Sequence, residues 1–113
     1  MRFEERTIGK VFIAKILESR LTAEFAPALK ADIVEFVTQG HRTLVLDLSE
    51  VTFIDSSGLG ALIGSLKALG DDGELALSGA REMVSSMLKL TRMNEVFRMY
   101  KNPEEAAVAL ALG

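Results

Sequence analysis

Three adjacent side chains, Asp55, Ser56 and Ser57, are the residues of this sequence best suited to chemistry. They follow a strand-like run that ends at Ile54, and they precede Gly58 and an apolar pattern typical of an amphipathic helix. Asp and Ser are favoured helix N-caps, because their oxygens accept the free amide protons of the first turn. The same residues are also open to two other roles: a hydrolase nucleophile, or a serine that another enzyme phosphorylates.

A serine hydrolase requires a base beside its serine. The chain has one histidine, His41, which precedes the predicted central strand, whereas the serines follow it. About 15 residues of nearly extended chain, at about 3.3 Å each, separate the two and place them at opposite ends of the sheet. The sequence also lacks the G-x-S-x-G nucleophile elbow. We therefore predict no catalytic residue and no enzymatic activity.

The sequence also predicts no metal site and no cofactor. It contains no cysteine, which excludes zinc–sulfur sites and disulfides. Asp71 and Asp72 stand between two glycines and are typical of a solvated turn. Gly58 and Gly60 lack the third glycine and the strand–loop context of a dinucleotide-binding fingerprint.

Charge and hydropathy exclude further classes of protein. The net charge of −3 argues against a nucleic-acid partner. The apolar runs are far shorter than the roughly 20 residues that cross a bilayer, and the first ten residues lack the apolar core of a signal peptide. We expect a cytoplasmic protein with no membrane insertion.

The periodicity of apolar residues predicts one α/β domain over residues 1–113, with elements in the order β-β-α-β-α-β-α-β-α. Its sheet is mixed but mostly parallel and is packed with about four helices. The predicted strands cover residues 3–8, 10–17, 42–54, 74–77 and 96–100. The first helix begins near Thr22 or at Pro27 and ends at Gly40, and the others cover residues 57–69, 81–90 and 103–112, the last capped by Asn102.

The side chains predicted to face the core of the second and third helices are Leu59, Leu62, Ile63, Leu66 and Leu69, and Met83, Val84, Met87 and Leu88. The methionines favour core filling over the alternative of an adaptable docking surface. Asp47, between two leucines, is interpreted as a tie to neighbouring backbone.

The segment LVLDLSEVTFIDSSGLGALIGSLKAL resembles the signature of the STAS domain family, specifically its small single-domain bacterial anti-sigma factor antagonists. The opening hairpin and the segment MLKLTRMNEVFRMYKNPEEA extend this resemblance over essentially the whole chain. The resemblance implies a mixed sheet with helices packed against it.

The resemblance also implies a role in partner switching. In such systems the unphosphorylated antagonist binds an anti-sigma factor, which is also a serine-protein kinase, and so releases a sigma factor. The kinase inactivates the antagonist by phosphorylating the serine after the motif aspartate, and a metal-dependent serine phosphatase reverses this. By this resemblance the phosphorylation site is Ser56, with Ser57 as second choice.

We expect the loops after the second and the central strands to lie close together and to contact the partner. The residues assigned to partner binding are Asp55, Ser56, Ser57, Gly58, Leu59, Arg20 and Thr22. One segment departs from the family pattern Gly-x-Leu-Asp, because Thr22 replaces the acid and Arg20 adds a positive charge. A second hypothesis is a non-catalytic STAS accessory subunit of a transporter or a stress-signalling scaffold, but the intact Asp55-Ser56 pair favours the antagonist.

Overall fold

The computed structural model describes residues 1–112, and its four helices and the five strands of its main sheet follow the predicted order. The strands are β1 (Phe3–Ile8), β2 (Val11–Ile16), β3 (Arg20–Leu21), β4 (Thr43–Asp47), β5 (Phe53–Ile54), β6 (Glu74–Ser78) and β7 (Arg98–Tyr100). The helices are α1 (Ala26–Thr38), α2 (Ser56–Leu69), α3 (Glu82–Leu90) and α4 (Pro103–Leu112). A short 3₁₀ turn at Met93–Glu95 precedes β7.

In the described chain, five strands form one sheet in the order β1-β2-β4-β6-β7. The antiparallel pair β1–β2 is a hairpin that turns at Gly9, whose φ of 60° suits glycine. The other neighbours in this sheet are parallel. The predicted mixed, mostly parallel sheet is confirmed.

Each face of the sheet carries its own apolar cluster, because successive side chains of a strand point to opposite faces. On one face, Leu44, Leu46 and Leu77 pack with apolar side chains of α1, α2 and α3. On the other face, Val45 and Ala76 pack against α4. Both faces of the central strands are therefore buried, which explains their nearly continuous apolar sequence.

The N-terminus of α4 is held by a cap and an ion pair. The Asn102 Oδ1 accepts a hydrogen bond from the Glu105 N–H at 2.8 Å, which confirms Asn102 as the predicted cap. Arg6 of β1 pairs with Glu104. The hydrogen bond from Arg6 lowers the pKa of the Glu104 carboxyl. The Arg6–Glu104 ion pair attaches the last helix to the opening hairpin.

The central strand is shorter than predicted, because the chain turns at Asp47. The buried Asp47 carboxylate accepts a hydrogen bond from the Ser49 N–H at 3.0 Å, which confirms the interpretation of this residue as a backbone tie. Residues 53–54 then form a separate strand, β5, which pairs in parallel with β3. This two-stranded sheet was not predicted.

Leu66 and Met87 are half-buried and pack against the core cluster, as predicted. Two other side chains predicted to face the core are less buried than expected. Ile63 of α2 is half-buried, while the small residues Ala61 and Ser65 are buried. The reason is that α1 packs closely against α2 on its slim side, where the Lys30 side chain lies within van der Waals reach of Gly64. The prediction for Met83 was also wrong: it is 61% exposed.

Charge substitutions distinguish fully buried positions from half-buried ones by their effect on stability. We expect Leu46→Asp to abolish folding, because Leu46 is fully buried and an unpaired carboxylate there costs on the order of 4–5 kcal/mol or more. Ile63→Asp is the matched variant at a half-buried position, and we expect it to cost about 1–3 kcal/mol and to leave a folded protein. Urea unfolding followed by circular dichroism checks both, and equal losses would contradict the assigned burial.

Candidate functional site

The small sheet of β3 and β5 brings together the loops that follow the second and the central strands. Its register pairs Arg20 with Phe53 and Leu21 with Ile54. The next residue, Asp55, donates its N–H to the Leu21 carbonyl at 3.2 Å. The expected proximity of these two loops is confirmed.

The Asp55 carboxylate joins the two loops and caps α2. One oxygen accepts a hydrogen bond from the Gly58 N–H at 2.9 Å, and the backbone of Asp55 is extended, as an N-cap requires. The other oxygen accepts from the Ala23 N–H at 3.3 Å, across 32 residues of chain. Of the three adjacent polar residues, Asp55 is therefore the cap.

Ser56 and Ser57 are the first two residues of α2, and both are exposed. Because Asp55 caps the helix, neither serine hydroxyl is needed for that purpose. Both hydroxyls lie at the helix end where free N–H groups and the helix dipole favour negative charge. The arrangement presents accessible hydroxyls at a site suited to an anionic group.

Gly58 and Leu59 lie beneath this surface. A Cβ on Gly58 would be 2.2 Å from the Leu21 carbonyl oxygen and 2.8 Å from Cγ1 of Ile54, so only glycine fits here. Leu59 is only 9% exposed and belongs to the core cluster. These two residues support the site from below.

Arg20 and Thr22 border the serines on the β3 side. The guanidinium of Arg20 lies 4.5 Å from the ring centroid of Phe53, a cation–π contact that orients this exposed side chain. The Thr22 carbonyl accepts the N–H groups of Phe25 and Ala26 and so starts α1. We name the solvent-accessible set Arg20, Thr22, Asp55, Ser56 and Ser57 the serine surface.

Two supporting groups of this site were missed by sequence reasoning: the Phe53 ring under Arg20 and the Ala23 N–H on Asp55. Neither has a signature in the sequence, because both contacts depend on the pairing of β3 with β5. A two-residue strand is too short for its periodicity to be recognised.

His41 lies at the other end of the sheet, before β4. Its ring stacks on Phe12 at a centroid distance of 3.9 Å, where Phe12 is paired with Leu44 near the start of β4. The serines follow the opposite end of β4. A histidine base for Ser56 or Ser57 is therefore excluded.

Within residues 1–112, no group of three or more His, Cys, Asp or Glu side chains converges to hold a metal ion. None of the described helices combines the length and the apolar character needed to cross a membrane.

The model of the STAS domain family matches residues 6–106, and the chain belongs to this family. An anti-sigma-B factor antagonist of Staphylococcus aureus is 26% identical over 105 residues, which are 92% of this chain and 96% of that protein. The crystal structure of an anti-sigma factor antagonist from Mycobacterium paratuberculosis has a TM-score of 0.84 at 26% identity and covers 96% of this chain and 92% of its own.

A sulfate transporter family protein from Wolinella succinogenes also shares the fold. Its TM-score is 0.78 at 21% identity, with 91% of this chain and 86% of that chain covered. The fold thus occurs in antagonists and in a transporter family, so function must be argued from the surface.

The close approach at Gly58 leads to a stability prediction. We expect Gly58→Ala to cost about 1–3 kcal/mol, because the added methyl group meets a backbone carbonyl oxygen that cannot move freely. Gly60→Ala is the matched control: Gly60 is an exposed residue of the same helix, and a Cβ there meets nothing within 4 Å. Alanine at this control position should stabilise the protein by about 0.5–1 kcal/mol. Urea midpoints of the two variants shifting in the same direction would be inconsistent with this packing.

The two bonds of Asp55 can be separated by substitution. We expect Asp55→Ala to cost about 0.5–2 kcal/mol, because it removes both the cap and the link to Ala23. Asp55→Asn retains an oxygen that can cap Gly58, whereas its amide nitrogen cannot accept from Ala23. Hydrogen exchange of the Ala23 and Gly58 amides checks this. Exchange should become faster at Ala23 alone in Asp55→Asn, and at both amides in Asp55→Ala. Unchanged exchange at Ala23 in both variants would contradict the link.

Proposed function

We propose that this protein is an anti-sigma factor antagonist, active when unphosphorylated and switched off by phosphorylation of Ser56. In this proposal the bound anti-sigma factor is also the serine-protein kinase, and a metal-dependent serine phosphatase restores the active form. Relatives named as anti-sigma factor antagonists, which match nearly the whole chain, support the general role. The observation that carries the switch is the exposed Ser56 directly after the capping Asp55.

Accessibility supports Ser56 as the acceptor. A kinase can reach an exposed side chain on the first residue of α2 without opening the helix. Since Asp55 supplies the cap, modification of Ser56 leaves the hydrogen bonds to Gly58 and Ala23 in place. Ser57 is also exposed and remains the second choice.

Electrostatics favours a switch of charge over a change of fold. A phosphate at the start of α2 lies near free N–H groups and the positive end of the helix dipole, a contribution of about 0.3–1 kcal/mol. The neighbouring Asp55 carboxylate offsets part of this through like-charge repulsion. The phosphorylated protein should therefore keep its structure.

The same phosphate opposes binding. It adds about −1.5 to −2 charges beside Asp55, on a surface that must lose water when a partner docks. A partner that fits a neutral hydroxyl then meets the cost of desolvating the phosphate. In this proposal the chain acts by binding, and it requires neither a cofactor nor a catalytic residue of its own.

The proposal is tested by phosphosite mapping after incubation with ATP and a purified anti-sigma factor kinase from the same organism. We expect one phosphate on the wild-type protein and on Ser57→Ala, and none on Ser56→Ala. Ser56→Asp should weaken binding of the kinase without always abolishing it, because one charge is less than a phosphate carries.

Phosphate on Ser56→Ala but not on Ser57→Ala would move the acceptor to Ser57. A wild-type protein that neither binds the kinase nor becomes phosphorylated would favour the accessory subunit of a transporter or scaffold.

A further inference from the structure

An open groove of about 920 Å³ lies along α3, next to the strand that leads to Ser56. Its apolar lining comes from Met83, Met87 and Leu90, and Thr52 and Arg81 stand at its edge. Met83 is 61% exposed and Leu90 is 83% exposed. Large apolar side chains exposed together beside a functional surface are typical of an interaction site. We name this feature the α3 groove.

Hydrogen bonds make the α3 groove continuous with the serine surface. Thr52, which lines the groove, directly precedes β5 and donates both its N–H, at 2.7 Å, and its hydroxyl, at 3.1 Å, to the Ser19 carbonyl beside Arg20. Arg81, at the start of α3, donates from Nε to the Ser49 carbonyl at 2.8 Å. The groove therefore lies beside the loops that carry the serine surface, and a partner that covers one borders the other.

The area of the serine surface is too small for a specific interface by itself. Stable protein–protein interfaces bury roughly 800 Å² on each partner, over about 20–30 residues, and have an apolar centre. The serine surface has five residues, all polar or charged. The exposed edge of α2 also borders the serine surface. Among the described residues of α2, no large apolar side chain is exposed, because Ile63 and Leu66 are half-buried. The α3 groove supplies the apolar area that such an interface needs.

We infer that the α3 groove is the apolar half of the surface that binds the anti-sigma factor, and that it takes an apolar segment of that partner. This inference rests on the proposed function. The charge of the serine surface changes when Ser56 is phosphorylated, whereas the groove supplies binding energy that does not depend on that charge. Methionine suits this role, because its flexible, polarizable side chain adapts to the shape of a partner.

The inference has a kinetic consequence for phosphorylation. The groove lies outside the reacting atoms, so its contacts are the same before and during phosphoryl transfer. Loss of such uniform contacts raises KM and leaves kcat unchanged. A higher concentration of a groove variant should therefore be needed to saturate the kinase, whereas the maximal rate of its phosphorylation should be unchanged.

The test is the double variant Met83→Asp/Leu90→Lys, with Val108→Asp/Leu112→Lys as matched control. The control residues are 62% and 85% exposed and belong to α4, on the opposite face of the sheet. Each pair replaces exposed apolar side chains and adds no net charge, so both variants should remain folded. Isothermal titration with the purified anti-sigma factor kinase should give a Kd at least about tenfold weaker for the groove variant. The control should stay within about twofold, as expected for residues outside the interface.

Each outcome bears on one proposal or on both. If the groove variant binds like the wild type while Ser56→Asp weakens binding, the inference about the α3 groove is overturned and the proposed function stands. Equal weakening by the α4 control would also overturn it. A kcat decrease at unchanged KM in the groove variant would contradict a docking role. If the wild-type protein does not bind the anti-sigma factor, both proposals fall.

Discussion

The architecture of the site depends on the two hydrogen bonds of the Asp55 carboxylate. One bond caps α2 at Gly58, and the other holds the loop after β3 through Ala23. Because the Asp55 side chain accepts hydrogen bonds from both backbone N–H groups, the hydroxyls of Ser56 and Ser57 are not needed to cap α2. The missing Cβ at Gly58 lets the helix start approach the Leu21 carbonyl closely enough for this arrangement to form.

The rest of the fold keeps this small site rigid. Apolar clusters bury both faces of the central strands, and the chain leaves β4 through a turn tied by Asp47. Gly79, after β6, completes that corner, because its φ is +68° and a Cβ there would lie 2.8 Å from Oδ1 of Asp47. In the proposed function, phosphorylation of Ser56 on such a scaffold changes the charge of the surface and leaves the backbone around it in place.

The STAS fold is shared by antagonists and by a transporter family protein, so the sheet and its helices cannot distinguish the two roles. In this chain the exposed Ser56 and Ser57 lie near the α3 groove. In the proposed function, a phosphate changes the charge of the serine surface but not the apolar lining of the groove. Phosphorylation would then weaken the proposed complex while the apolar contacts of the groove remain.

Local patterns in the sequence determined the alternating strands and helices, the hairpin at Gly9 and the cap at Asn102, because each signal lies within a few neighbouring residues. Contacts between distant segments decided the rest. The bond from Ala23 to Asp55 depends on the pairing of β5 with β3. The half-burial of Ile63 depends on how closely α1 approaches α2, and the exposure of Met83 depends on which face of α3 meets the sheet. Ala23 and Asp55 are 32 residues apart in the chain, and only folding brings them within hydrogen-bond distance.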